Sequence, residues 1–195
     1  MTESNCDESV RHFISDFKGH FGLKVFPLEV LGTGDDWTLV IKLHGFVEIS
    51  LNRLLETYFG LAELKKVIEK LPTAHPKNGK LAFVKALQLL PERGCLFVTK
   101  ISELRGMLSH DIGKLDFDLK KYFADLPHGE RDSWARALWW WKEKAPEEFL
   151  DPGQPLGSIE IATLKLMIYA FLRNTERADQ PDQRKGDNSP ESSPT

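Results

Sequence analysis

Apolar residues recur along this chain at helical rather than strand spacing, and the pattern predicts a series of helices separated by turns that contain Pro and Gly. Over residues 9–21, Val10, Phe13, Ile14 and Phe17 share one face, with Asp7 and Glu8 at the end where the helix dipole favours acids and Gly19 and Gly22 closing the other. The next stretch, LKVFPLEVLGTGDDW, reads as an extended connector because of Pro27 and the Gly-Thr-Gly-Asp-Asp run, and residues 24–31 are the only segment with strand character. From Asp35 or Asp36, either of which can cap a helix, DWTLVIKLHGFVEISLNRLLETYFG predicts one long helix ended by Gly60. Its apolar positions, among them Leu39, Leu43, Val47, Leu51, Leu54 and Leu55, cover more than one face, so this helix should be central. Further helices are predicted over residues 61–71, over KLAFVKALQLL before Pro91, from Arg93 to about His110, and over residues 117–124, 129–145 and 158–173. A lone strand has nothing to pair with, so the fold class predicted is all-α.

Composition narrows the setting. With 195 residues, 41% hydrophobic and 28% charged, the chain can bury one core. Lys and Arg number 26 against 29 Asp and Glu, a formal net charge of -3, which excludes a broadly basic nucleic-acid coat but not a local basic site. Cys6 and Cys95 are too far apart in sequence to write a redox CxxC or a four-ligand zinc cluster, as fits a reducing cytoplasm. The polar opening MTESNCDES and the lack of any apolar run near the ~20 residues that span a bilayer give the expectation of a cytoplasmic protein without membrane insertion. Residues 1–8 and 176–195 hold little that can be buried, so flexible ends are expected around a helical domain of residues 9–175. No GxxxxGK, GxGxxG or GxSxG occurs. Trp139, Trp140 and Trp141 would sweep about 200° of a helix. At least one should therefore meet another element or a partner chain, and a base-stacking platform is the functional alternative.

The chemistry gathers in ISELRGMLSHDIGKLDFDLKKYF, residues 101–123, which places Arg105, Ser109, His110, Asp111 and Lys114 near the end of a helix. Imidazole can move a proton to or from a ribose hydroxyl or leaving oxygen near neutral pH, and a guanidinium binds phosphate bidentately. On an ideal helix two residues five apart differ by about 140°, so Arg105 and His110 converge only if the helix unwinds at His110 or a second copy supplies the partner residues. Asp111 could hydrogen-bond the imidazole and favour its protonated form. The plain structural alternative pairs Arg105 with Glu103 or Asp111 and leaves His110 at the helix C-terminus, where a cation is welcome. On the long helix, His44 and Glu48 are i,i+4 and could form a polar notch at the same site, or simply a pair on a mixed face; Arg53 could add a phosphate contact.

The Arg-x4-His pair, together with the long helix from residue 36 and KLAFVKALQLL, resembles the HEPN superfamily of small α-helical bundles over roughly residues 36–123, and within it the mannitol-repressor-like proteins, where a similar LR-polar-xxx-H segment ends the corresponding helix. The resemblance implies a HEPN-like helical bundle with additional C-terminal helices, acting as a homodimer in which Arg and His of two copies face each other. It also implies metal-independent endoribonuclease activity of a defence or toxin type with no cofactor, an RNA substrate and an antitoxin or regulatory protein partner. Arg105 and His110 would then be catalytic, with Asp111, Ser109, Glu48 and His44 supporting and Arg53 and Lys114 binding substrate. The position after Arg105, polar in the active nucleases, is Gly106 here, which points to the alternative of a non-catalytic regulatory or binding protein on the same scaffold. A third reading takes SHDIGK, which resembles the His-Asp signature of HD-domain metal phosphohydrolases. His75 would be its upstream ligand, and Asp125, Asp132 or Asp151 its downstream one.

Overall fold

The computed structural model describes residues 3–31, 34–109, 115–143 and 155–178. Among them the chain forms nine α-helices and a short 3-10 turn, with no strand. The helices are α1 (Glu3–Phe21), α2 (Pro27–Leu31), α3 (Asp36–Phe59), α4 (Lys65–Lys70), α5 (Lys80–Ala86), α6 (Glu92–Ser109), α7 (Leu119–Asp125), α8 (His128–Leu138) and α9 (Pro155–Ala178); the 3-10 turn, Ala62–Leu64, leads into α4. The all-α class follows. No described helix is long and apolar enough to cross a membrane.

The central helix begins and ends where its caps dictate. The Asp35 carboxylate accepts from the Thr38 amide at 2.7 Å, and Gly60, at φ 65°, takes the left-handed conformation that an L side chain resists. Leu39, Val40, Leu43, Val47, Leu51, Leu54 and Leu55 are all buried, a band too wide for one neighbour to cover. Accordingly α3 packs chiefly on α9, and then on α6 and α5. The α9 face offers Ile159, Ala162, Leu166, Met167, Ala170 and Phe171, whose two alanines let the helix axes approach. From α6 come Phe97, Val98, Ile101, Leu104 and Leu108. Two buried hydroxyls are satisfied within their own helices: Ser50 donates to the Phe46 carbonyl at 2.7 Å and Thr163 to the Ile159 carbonyl at 2.9 Å.

Several elements depart from the pattern-based expectation. Residues 27–31, predicted as extended chain, form α2: Pro27 occupies the first helical position and Glu29 reaches back to accept from the Phe26 amide at 3.0 Å. Backbone helix in α1 starts at Glu3, upstream of its apolar stripe. α5 stops at Ala86, short of Pro91, by a left-handed residue at Gln88. α8 ends at Leu138, so the three tryptophans are not helical. Trp140 turns into the core and donates to the Ala162 carbonyl of α9 at 3.4 Å, while Trp139 and Trp141 lie partly exposed with ring centroids 5.2 Å apart. Three consecutive indoles cannot all face one core from one helix, and breaking the helix lets one be fully buried while the other two pack at the margin of the core.

The α1–α3–α9 seam contains a half-buried imidazole. His20 packs edge-on against Phe21 and Phe171, and its pKa is lowered from 6.5 to about 4, first by burial and then by the nearby Arg53 guanidinium. Between pH 6.5 and about 4 the unfolded chain therefore binds more protons than the folded one, and stability falls as pH is lowered through this window. We expect His20→Phe to flatten the acid limb of a Tm-versus-pH curve, removing a loss on the order of 2 kcal/mol. An acid limb of unchanged steepness in the variant would place the titration elsewhere.

Candidate functional site

Two tethers from the first turn of α3 bracket the segment that carries the predicted chemistry. The Trp37 indole donates to the Leu108 carbonyl at 3.3 Å, fixing the end of α6, and the Asp36 carboxylate accepts from the Leu119 amide at 2.7 Å, fixing the start of α7. His110, Asp111 and Lys114 fall between these anchors and outside the described residues. Because the start of α3 meets the end of α6, the two helices run antiparallel, and residues about two turns into α3 come level with the last turns of α6.

That juxtaposition brings Arg105 within electrostatic reach of His44. Arg105 is exposed on α6, while His44 is half-buried on α3. The imidazole pKa of His44 is lowered, chiefly by burial; Glu48 opposes the shift, and the charges of Arg105 and Lys80 add to it. His44 is therefore neutral at pH 7, with one nitrogen able to donate and the other to accept. Glu103, one of the two partners expected for Arg105, faces Lys100 instead, at 3.9 Å, and the other, Asp111, lies outside the described residues. Ser109 uses its hydroxyl to donate to the Arg105 backbone carbonyl at 2.8 Å, which ties the helix end to itself.

Glu48 does not pair with His44. Its carboxylate meets the Lys80 ammonium at 2.5 Å, and that ammonium also donates to the Glu69 carbonyl at 3.3 Å. The Lys80 side chain is 0% exposed against 38% for Glu48. A tight loop delivers it: the Lys80 amide donates to the Pro72 carbonyl at 2.8 Å and the Leu81 amide to the Thr73 carbonyl at 3.0 Å. Gly79 is required there, because a Cβ would lie 2.5 Å from the His75 amide nitrogen and 2.9 Å from the Pro72 carbonyl oxygen. Sequence reasoning missed this buried cation, since a lysine opening an amphipathic helix ordinarily reads as solvated.

Arg53 is not brought to the site. It lies nine residues from His44, about 180° around α3, and its guanidinium pairs with Glu56 at 2.5 Å beside His20. The HD ligand set gains no support from the loop: His75 uses Nδ1 to accept from the Lys77 and Asn78 amides, both at 3.4 Å, and Asp132 pairs with His128 at 3.0 Å. Asp151 lies outside the described residues. Among the described residues no group of three or more His, Cys, Asp or Glu side chains is placed to hold a metal ion.

Gly106 has open space where a Cβ would go, with nothing within 4 Å, so packing does not demand glycine at this point of α6. Gly106→Ala should stabilise the fold by about 0.5–1 kcal/mol through helix propensity. Thermal unfolding reads the change as a rise in Tm, and a fall would reveal a backbone role for the glycine.

No protein-family profile, curated protein or solved structure matches this chain.

Proposed function

We propose that the chain is a metal-independent endoribonuclease of the HEPN type, built on a HEPN-like bundle and acting as a homodimer in the cytoplasm. The observation that carries the reading is that exposed Arg105 lies within electrostatic reach of neutral His44, at the helix end that leads into His110. Arg105 binds the scissile phosphate, and its fork suits two phosphate oxygens at once. His110 transfers the proton, with Asp111 orienting it, and Lys114 adds a phosphate contact. His44 contributes a hydrogen bond without adding charge. An antitoxin or other regulatory protein would be the partner that restrains such an activity.

The second reading is a non-catalytic RNA-binding or regulatory dimer on the same scaffold. It draws on the engagement of Glu48 by Lys80 and on the absence of a side chain at Gly106. Incubation of the purified protein with mixed RNA in excess chelator separates the two. Cleavage that disappears in His110→Ala supports the nuclease; RNA retention without cleavage at any protein concentration supports the binding protein and sinks the nuclease.

A further inference from the structure

A second site lies away from Arg105, where the α5–α6 turn meets α9. A cleft of about 580 Å³ opens there, within the size range of small-molecule sites. Its floor is apolar: Leu90 and the Cys95 thiol are 5% and 2% exposed. Around the rim stand Lys85 from α5, Gln88 from the turn, and Tyr169 and Arg173 from α9. The Tyr169 hydroxyl accepts from Arg173 Nε at 3.2 Å and from Nη2 at 3.0 Å. With both contacts accepted, its own proton points away from the guanidinium and remains available to donate. Lys85 brings an ammonium and Arg173 a guanidinium whose Nη1 also faces Glu176 at 3.6 Å, while Glu92 is the one carboxylate on the lining, so the rim is rich in hydrogen-bond donors.

Gln88 supplies the independent argument. The end of α5 is a Schellman cap: the Leu89 amide donates to the Val84 carbonyl at 3.0 Å and the Gln88 amide to the Lys85 carbonyl at 3.1 Å. The left-handed residue of that cap is normally glycine, and this chain uses glycine for the left-handed residue that ends α1, Gly22 at φ 67°, and α3, Gly60 at φ 65°. At α5 the position is Gln88 with φ 52°, the one non-glycine residue at positive φ among those described. A side chain held in strain at the lip of a cleft calls for a use that glycine could not serve.

We propose that this cleft binds a small organic oxyanion, a phosphate monoester or carboxylate with an apolar body. Lys85, Tyr169 and Arg173 hold the anionic group, and Gln88 closes over the ligand. The proposal is independent of the nuclease reading.

Phenyl phosphate and benzoate, with benzyl alcohol as the uncharged control, test it by NMR titration of the full chain. The expected result is saturable shifts of amides in residues 85–95 and 169–173 with at least one anion and not with the alcohol; the stronger of the two identifies the headgroup. Gln88→Gly should raise Tm by about 2–4 °C as strain is relieved, yet weaken binding by about tenfold. Lys85→Met should weaken it comparably without changing the fold. No saturation by either anion, equal binding of the alcohol, or undiminished affinity in Gln88→Gly would each overturn the proposal.

Discussion

Glu48→Ala should be among the most destabilising single substitutions in this protein, costing about 3 kcal/mol, whereas Lys80→Met should cost less although it removes the other half of the same pair. The asymmetry comes from where each charge sits. The Lys80 side chain is 0% exposed and its ammonium has one carboxylate for company, so losing Glu48 leaves a cation in the interior with only the Glu69 carbonyl at 3.3 Å. The Glu48 side chain is 38% exposed, so losing Lys80 leaves an anion that water still reaches. Methionine also fills the volume that the lysine stem occupied. A double variant, Glu48→Leu with Lys80→Met, should recover most of the stability lost in Glu48→Ala, since an apolar pair removes the desolvation cost along with the attraction. Denaturant unfolding of the four proteins gives the cycle. Equal costs for the two single substitutions would mean that water reaches Lys80 in solution.

The fate of Lys80 shows where sequence reading stops. Element identity was legible wherever local chemistry decides it: Asp35 and Gly60 mark the ends of α3, and its two-sided apolar band made it central. It failed where a tertiary demand overrides the pattern. Residues 24–31 alternate enough to suggest a strand, yet Pro27 and Glu29 begin a helix once Phe26 packs against Phe17, with ring centroids 5.4 Å apart. The pattern of residues 129–145 continues past Leu138, but burying Trp140 against α9 breaks the helix there. The geometry of the candidate site was legible in part for the same reason. His44 and Arg105 were each visible as candidates on amphipathic helices, but their approach depends on the antiparallel packing of α3 on α6, to which the Trp37–Leu108 hydrogen bond is one contributor. Arg53, which could have added a phosphate contact, lies on the far side of α3 and pairs with Glu56 instead.

If the nuclease reading holds, Arg105→Ala should lower kcat/KM for RNA by about 10²–10³-fold while leaving Tm nearly unchanged. The residue is exposed and Glu103 is turned to Lys100, so little folding energy is tied to it, whereas loss of a phosphate-binding fork is felt at the transition state. Arg105→Lys should recover only part of the activity, because an ammonium restores the charge without the bidentate geometry. His110→Ala should cost about 10²–10⁴-fold through the lost proton transfer. Mixing the two inactive proteins then asks whether the site is shared. If Arg105 of one copy serves His110 of the other, a randomly reassorted mixture of Arg105→Ala and His110→Ala chains contains heterodimers with one intact site each, and roughly a quarter of the wild-type activity returns. If each site is complete within one chain, every chain in the mixture lacks one of its two groups, and nothing returns. A mixture that stays inactive after exchange of subunits has been demonstrated would remove the shared dimeric site, even with both single variants inactive. Recovery would tie Arg105 and His110 to a site formed between two copies.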